Sequence, residues 1–353
     1  MRTLAVGRTY PPATCSRPGY FRIPVCRHGS RYDLPLGFVG TTGCRWARQG
    51  GCTVCDYGGF DGEVPSLLLV DQANQLLDEW GPENEVSLNA LGSFFDDDEM
   101  PVDARMGILR AISSHPPIDL LSVETRPDTV TRAKIQAAVD LLGPSITLEV
   151  GLGLESADDF VRNVCVNKGL PLTQFARAVE DIVEAGAQVC AHVLLKPPFL
   201  TEAEAVADAV SSIDYAFTVG VRRTVLMVCN IKAATLTHWL WQRGAYRPPW
   251  LWSALEVVRR ISAPARRKLL IYGFKCGLPL LETGHNCDLC TDTVLRQIEG
   301  FRATQDPAVV EDALQIECRC KADWHKDMEY RDNTPLRERV ERFCSTFESG
   351  GDL

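Results

Sequence analysis

The chain has 353 residues, 45% of them hydrophobic and 24% charged, enough to bury one large core of barrel size. A net charge of −9 disfavours the broad basic footprint with which nucleic-acid binders neutralise phosphate, and Arg222-Arg223, Arg259-Arg260 and Arg266-Arg267-Lys268 are the basic runs that remain. No apolar run reaches the about 18 residues a membrane span needs, no apolar signal-peptide core follows Met1, and 14 cysteines in that setting predict metal ligation in a reducing compartment, the cytoplasm.

Residues 1–36 are rich in Pro, Arg and Gly, show no period, and are expected to form an irregular N-terminal extension. From Gly37 onward, short apolar runs alternate with amphipathic stretches. Strands are expected at 38–43, 86–91, 118–123, 146–152, 189–195 and 223–228, and helices at 67–80, 104–113, 130–142, 172–185, 202–219, 235–243 and 252–261. Repeated strand–helix units predict a parallel sheet. Six of them without a glycine-rich phosphate loop predict an α/β fold, a partial (β/α)6 TIM-type barrel over 37–265, with a C-terminal cysteine-rich extension over 266–353.

Unusual residues fall where the expected strands end. Cys44 follows the first, Gly92-Ser93-Phe94 the second, and Glu124-Thr125-Arg126-Pro127 closes the third. Glu149 and Glu155 flank the end of the fourth, Lys196-Pro197-Pro198 follows the fifth, and Cys229-Asn230 follows the sixth. Barrel enzymes build their active sites on that face. Lys196, at a strand end and followed by two prolines, is held rigidly enough to contact a ligand.

Two cysteine groups carry metal chemistry. Cys44, Cys52 and Cys55 stand at C-x7-C-x2-C in a loop flanked by Gly50-Gly51 and Gly58-Gly59. Three thiolates on a four-iron cluster leave one iron open to a ligand, whereas a structural zinc site needs a fourth ligand from elsewhere. Cys287-x2-Cys290 and Cys318-x-Cys320 form a second group that suits either an auxiliary [4Fe-4S] cluster, the preferred expectation, or zinc. The histidines show no paired metal spacing, and the tryptophans at 239, 241, 250 and 252 read as packing before base stacking.

Taken together, Gly43-Cys44-x-Trp46, Gly50-Gly51-Cys52-Thr53-x-Cys55, Gly92-Ser93-Phe94, Glu124-x-Arg126-Pro127, Gly153-Leu154-Glu155-Ser156, Asn167-Lys168-Gly169, Leu195-Lys196-Pro197-Pro198-Phe199-Leu200 and Tyr246-Arg247-Pro248-Pro249-Trp250-Leu251-Trp252 resemble the radical S-adenosylmethionine (SAM) enzymes of the elongator-catalytic-subunit-like group. The resemblance is nearest to the radical SAM subunit family of archaeosine synthase. It implies a [4Fe-4S] cluster on Cys44, Cys52 and Cys55, with SAM contacts from Tyr57, Gly92, Ser93, Phe94, Glu124 and Glu155, and with Arg126 and Lys196 as catalytic residues. It also implies reductive cleavage of SAM to a 5′-deoxyadenosyl radical that abstracts hydrogen from substrate, with electrons from a protein such as flavodoxin or ferredoxin.

The acidic balance directs the substrate expectation to a small nucleoside-like molecule, with the second cluster serving carbon–sulfur bond formation. The family's own reaction, radical cleavage of a lysine-modified deazaguanine in tRNA, is the alternative. A metal-stabilised, non-catalytic binding scaffold is the reading from another class.

Overall fold

The computed structural model describes residues 19–58, 63–274 and 280–348. Chain order is β1 (Gly19–Arg27), β2 (Ser30–Val39), α1 (Arg45–Arg48), α2 (Ser66–Trp80), β3 (Glu85–Ala90), α3 (Val102–Ser113), β4 (Leu120–Thr125), α4 (Arg132–Leu142), β5 (Thr147–Glu155), α5 (Leu172–Glu184), β6 (Gln188–Leu195), α6 (Glu202–Thr218) and β7 (Arg223–Val228). Then follow α7 (Leu236–Gln242), α8 (Leu251–Arg260), α9 (Ala263–Arg266), β8 (Leu269–Tyr272), α10 (Thr291–Thr304), α11 (Pro307–Gln315), α12 (Cys320–Glu329) and α13 (Leu336–Glu348).

The strands form one eight-stranded sheet in sequential order, antiparallel between β1 and β2 and parallel from β2 to β8. Each parallel pair is joined by a helix on the outer face, so the sheet curls into an almost closed barrel with its helices outside. Helix α5 shows how the sequence sets this layer: Phe175, Ala178, Val179 and Ile182 recur at helical spacing and are its buried residues. Helix α6 starts at a capping box, in which Thr201 accepts from the Glu204 amide and Glu204 reaches back to the Thr201 amide.

The six expected strand–helix units are all present, from β2 to the helices after β7, and two further strands extend the barrel. Residues 19–39 form a β-hairpin where an irregular extension was expected, and β8 lies beyond 265, inside the stretch assigned to the C-terminal region. Pro24 and Pro35 obscured the hairpin in the sequence. Pro24 lies on an edge strand, where a missing amide costs no ladder bond on the open side. Cys15 and Cys276 lie outside the described residues.

Strands β1 and β8 do not pair with each other, and α10 covers the seam between them. From that helix, Arg302 donates through Nε to the Pro24 carbonyl of β1 (2.7 Å) and through Nη1 to the Ile271 carbonyl of β8 (3.1 Å). One side chain thereby satisfies carbonyls on both open edges.

At the N-terminal ends of the strands, half-buried Arg223 meets buried Glu149 at 2.6 Å and buried Glu85 at 3.3 Å. Glu149 therefore belongs to an ion cluster in the lower barrel, not to the strand-end face where the sequence reading placed it. The alternation of β5 turns it inward there, where Ser122 also donates to it.

Candidate active site

The cysteine loop leaves the end of β2 through Gly43 (φ +82°) and closes on itself where the Cys44 amide donates to the Tyr57 carbonyl, 2.9 Å away. Two distant segments clamp it. The Leu236 amide of α7 donates to the Thr53 carbonyl, and the Thr53 amide and hydroxyl donate to the carbonyls of Val166 and Cys165. The Trp46 indole donates to the Asn167 carbonyl (2.7 Å), while the Asn167 side chain donates to the Gly51 carbonyl (2.6 Å). Gly169 (φ +64°) is demanded by this contact, because a Cβ there would stand 2.4 Å from the Trp46 ring.

The clamping segment is itself rigid. It follows a π-helical turn, Val161–Cys165, and fully buried Arg162 donates to the carbonyls of Leu170 (2.8 Å) and Ser156 (2.9 Å). Lys168 projects from it to Glu155, Nζ to Oε1 2.6 Å. Glu155 ends β5 with φ +63°, and a Cβ on Gly153 would collide with both members of the pair. Burial alone would lower the Lys168 pKa, but Glu155 and the Cys52 sulfur hold it above the usual value.

Arg126 packs its guanidinium 5.3 Å from the Trp46 ring centroid, donates to the Lys168 carbonyl (3.0 Å), and pairs with Asp128 at 2.9 Å. It thus bridges the turn after β4 and the segment that holds the loop. Gly92 (φ +140°) leaves space for buried Glu99, whose carboxyl accepts the amides of Arg45 and Ser93, both at 2.5 Å. Glu99 so joins the cysteine loop to the turn after β3, and burial raises its pKa to about 7. The Ser93 and Phe94 side chains are fully buried, with Phe94 stacked edge-on against Phe95, so this turn offers backbone to any ligand. Lys196 (φ +63°) turns to Glu202, at 2.6 Å, and Tyr246 donates to its carbonyl.

The loop fits a cluster better than a lone ion. Burial raises the thiol pKa of Cys44 to about 11 and of Cys52 to about 12, and raises that of Cys55 as well, so the thiolates that ligate iron need added positive charge. Lys168, Arg126 and Lys232 supply part of it. Among the described residues only the C-terminal quartet gathers its ligand atoms within 4.8 Å; the three loop sulfurs are spread wider, as thiolates on separate irons must be.

A cavity of about 270 Å³ occupies the barrel lumen. Tyr57, Glu124, Asn230 and Lys232 line its upper part, Ser122 and Arg223 its floor, and Tyr272 and Arg302 its seam wall. Lys232 pairs with Asp56 at 3.1 Å and covers the Tyr57 ring at 4.7 Å. The Asn230 side-chain oxygen and the Tyr272 hydroxyl are buried there without a hydrogen-bond partner among the described residues, which suits a polar guest. Of the residues expected from sequence, Tyr57 and Glu124 reach the cavity; Lys196, Arg126 and Glu155 lie outside its lining.

Sequence reasoning missed Glu99, Lys168 as a site residue, Lys232, Tyr272 and Arg302. Lys168 carried a signal inside its motif; the others stand in stretches without local pattern. The tryptophans divide: Trp250 and Trp252 are buried, while Trp241 is 36% exposed on α7, two residues after Trp239, on which Arg243 stacks.

No protein-family model matches the chain. Archaeosine synthase subunit beta of Methanosarcina acetivorans is 35% identical over 304 residues, which are 83% of this chain and 84% of that protein. Archaeosine synthase subunit beta of Thermococcus kodakarensis is 32% identical over 292 residues, 79% of this chain and 87% of that one. Among solved structures, Elp3 of Methanocaldococcus infernus, with residues 1–46 deleted, aligns at a TM-score of 0.46 and 17% identity over 67% of this chain and 59% of that chain.

Proposed function

The chain belongs to the family of archaeosine synthase beta subunits, and on that premise we propose that it is a radical SAM enzyme that cleaves a lysine-type appendage from a modified deazaguanine nucleotide. The single observation that carries the reading is the kinship at 35% identity over 83% of the chain, joined to the clamped loop of Cys44, Cys52 and Cys55. When bound at that loop, a [4Fe-4S] cluster with SAM supplies one-electron cleavage of the sulfonium, giving methionine and a 5′-deoxyadenosyl radical.

The chain's own residues do the remaining work. Trp46, Asn167 and Gly169 hold the loop in one geometry, and Lys168 and Arg126 place positive charge beside its sulfurs. The lumen's volume of about 270 Å³ suits a base and a short appendage, which in a polynucleotide must leave the stack to enter. Glu124 and Lys232, of opposite charge on its upper wall, match the ammonium and carboxylate of an amino-acid appendage. Exposed Trp241 on α7 offers a stacking point for a base of the polynucleotide.

The net charge of −9 favours a second reading, a free nucleoside-like substrate with carbon–sulfur bond formation, and in the first reading it calls for a basic partner subunit. Anaerobic turnover with SAM and dithionite, comparing tRNA that bears the lysine-modified base with the same free nucleoside, separates the two. We expect 5′-deoxyadenosine and loss of the appendage mass from the tRNA. Product from the free nucleoside alone, or a product gaining sulfur, would favour the second.

A further inference from the structure

The C-terminal quartet is built to a different scale from the loop. Its sulfur–sulfur distances are 3.8 Å for Cys287–Cys290, 3.4 Å for Cys287–Cys318, 3.5 Å for Cys290–Cys320 and 3.5 Å for Cys318–Cys320. All four lie within 4.8 Å of one another. A tetrahedron with metal–sulfur bonds of about 2.3 Å has edges of about 3.8 Å. A four-iron cluster puts each thiolate on a separate iron, roughly 6 Å from the next. The observed edges match one ion and leave no room for four.

The backbone around the quartet is already set for that ion. The Cys287 carbonyl accepts the amides of Cys290 and Thr291 and the Thr291 hydroxyl, which closes a tight turn. The same hydroxyl accepts the Asn286 amide. Cys290 caps α10, Cys320 opens α12, and both are buried. His285, near in sequence, contacts the Thr283 carbonyl and is not among the converging ligands.

We propose that Cys287, Cys290, Cys318 and Cys320 hold a single structural zinc ion that latches α10 and α12 onto the barrel. With no open coordination position and no bridging sulfide, the site neither relays electrons nor donates sulfur. Its reach into the active site is mechanical. Through α10 it fixes Arg302, which spans the seam and lines the lumen. Through α12 it fixes Trp324, whose indole donates to Ser253 (2.9 Å); Ser253 donates to Glu202 (2.6 Å), and Glu202 holds Lys196 at the end of β6.

The test is metal analysis of the C44A/C52A/C55A variant after anaerobic reconstitution with iron, sulfide and zinc. The quartet is then the cysteine site left intact, so the outcome is independent of the radical reaction. We expect about one zinc per chain, no iron, and tetrathiolate absorption when cobalt(II) replaces zinc. About four irons with the visible band of a cluster, or about one iron in place of zinc, would overturn the proposal. For the latch, hydrogen exchange of zinc-loaded protein and C318A should show faster exchange in β1 and β8 than in β4 and β5. Unchanged exchange in β1 and β8 after zinc loss would overturn that part.

Discussion

Lys168 and Glu155 are joined at 2.6 Å, one on the segment that clamps the cysteine loop and the other at the left-handed end of β5. Their contact ties barrel to loop beside Cys52. Lys168→Met leaves a half-buried carboxylate unpaired and should cost about 3 kcal/mol, while adding Glu155→Gln should recover part of it. Urea titration of the single and double variants measures this. If the pair also orients SAM, 5′-deoxyadenosine formation stays low in the double variant despite restored stability. Full recovery of both would leave the pair a purely structural role.

Gly169→Ala forces a side chain into the left-handed region and against the Trp46 ring. We expect a loss of about 1–3 kcal/mol and a fall in iron retained after gel filtration. Stability and iron content equal to the parent would contradict the clamp.

Tyr272 carries a buried hydroxyl without a hydrogen-bond partner among the described residues, and Tyr272→Phe removes it with little change in shape. Folding should change by less than about 1 kcal/mol, or improve, because an unsatisfied group is lost. Substrate KM should rise while uncoupled SAM cleavage is kept. A large loss of stability would mean that the hydroxyl is bonded within the protein.

Asp208 has its carboxyl pushed up to about 7 by burial, against the hydrogen bond from Ser156. The folded state then binds this proton more tightly than the unfolded state. Its contribution is full below an ordinary carboxylate pKa and declines as pH rises toward 7, by on the order of 1–3 kcal/mol. Asp208→Asn should flatten that decline, read as urea midpoints at pH 5 and pH 7.5. An equal fall in both proteins would assign the pH dependence elsewhere.

The repeating strands and helices were legible because their apolar periods are local. The α2 to α6 helices begin within two residues of the expected positions. The hairpin and β8 were not. Pro24, Pro35 and their arginine neighbours mask the alternation of β1 and β2, and β8 is four residues long behind a basic run that reads as a charged helix end. At the site, the cysteines were legible because ligand spacing within one turn is a sequence property. Glu99, Lys232 and Arg302 were not, since each matters through a partner fixed only by the fold: the Ser93 amide, Asp56, and the carbonyls of two unpaired strand edges. Lys196 shows the converse. Its position predicted a ligand contact, and the structure turns it to Glu202.

The most direct test of the central claim is reductive SAM cleavage by wild-type protein and by C44A, C52A and C55A after anaerobic reconstitution, read as 5′-deoxyadenosine together with iron per chain. On the proposed assignment each of the three cysteines is a cluster ligand with no spare in the loop, so each variant should lose cluster iron and nearly all 5′-deoxyadenosine while keeping the zinc proposed for the quartet. Wild-type yields of 5′-deoxyadenosine from any of the three would contradict the account.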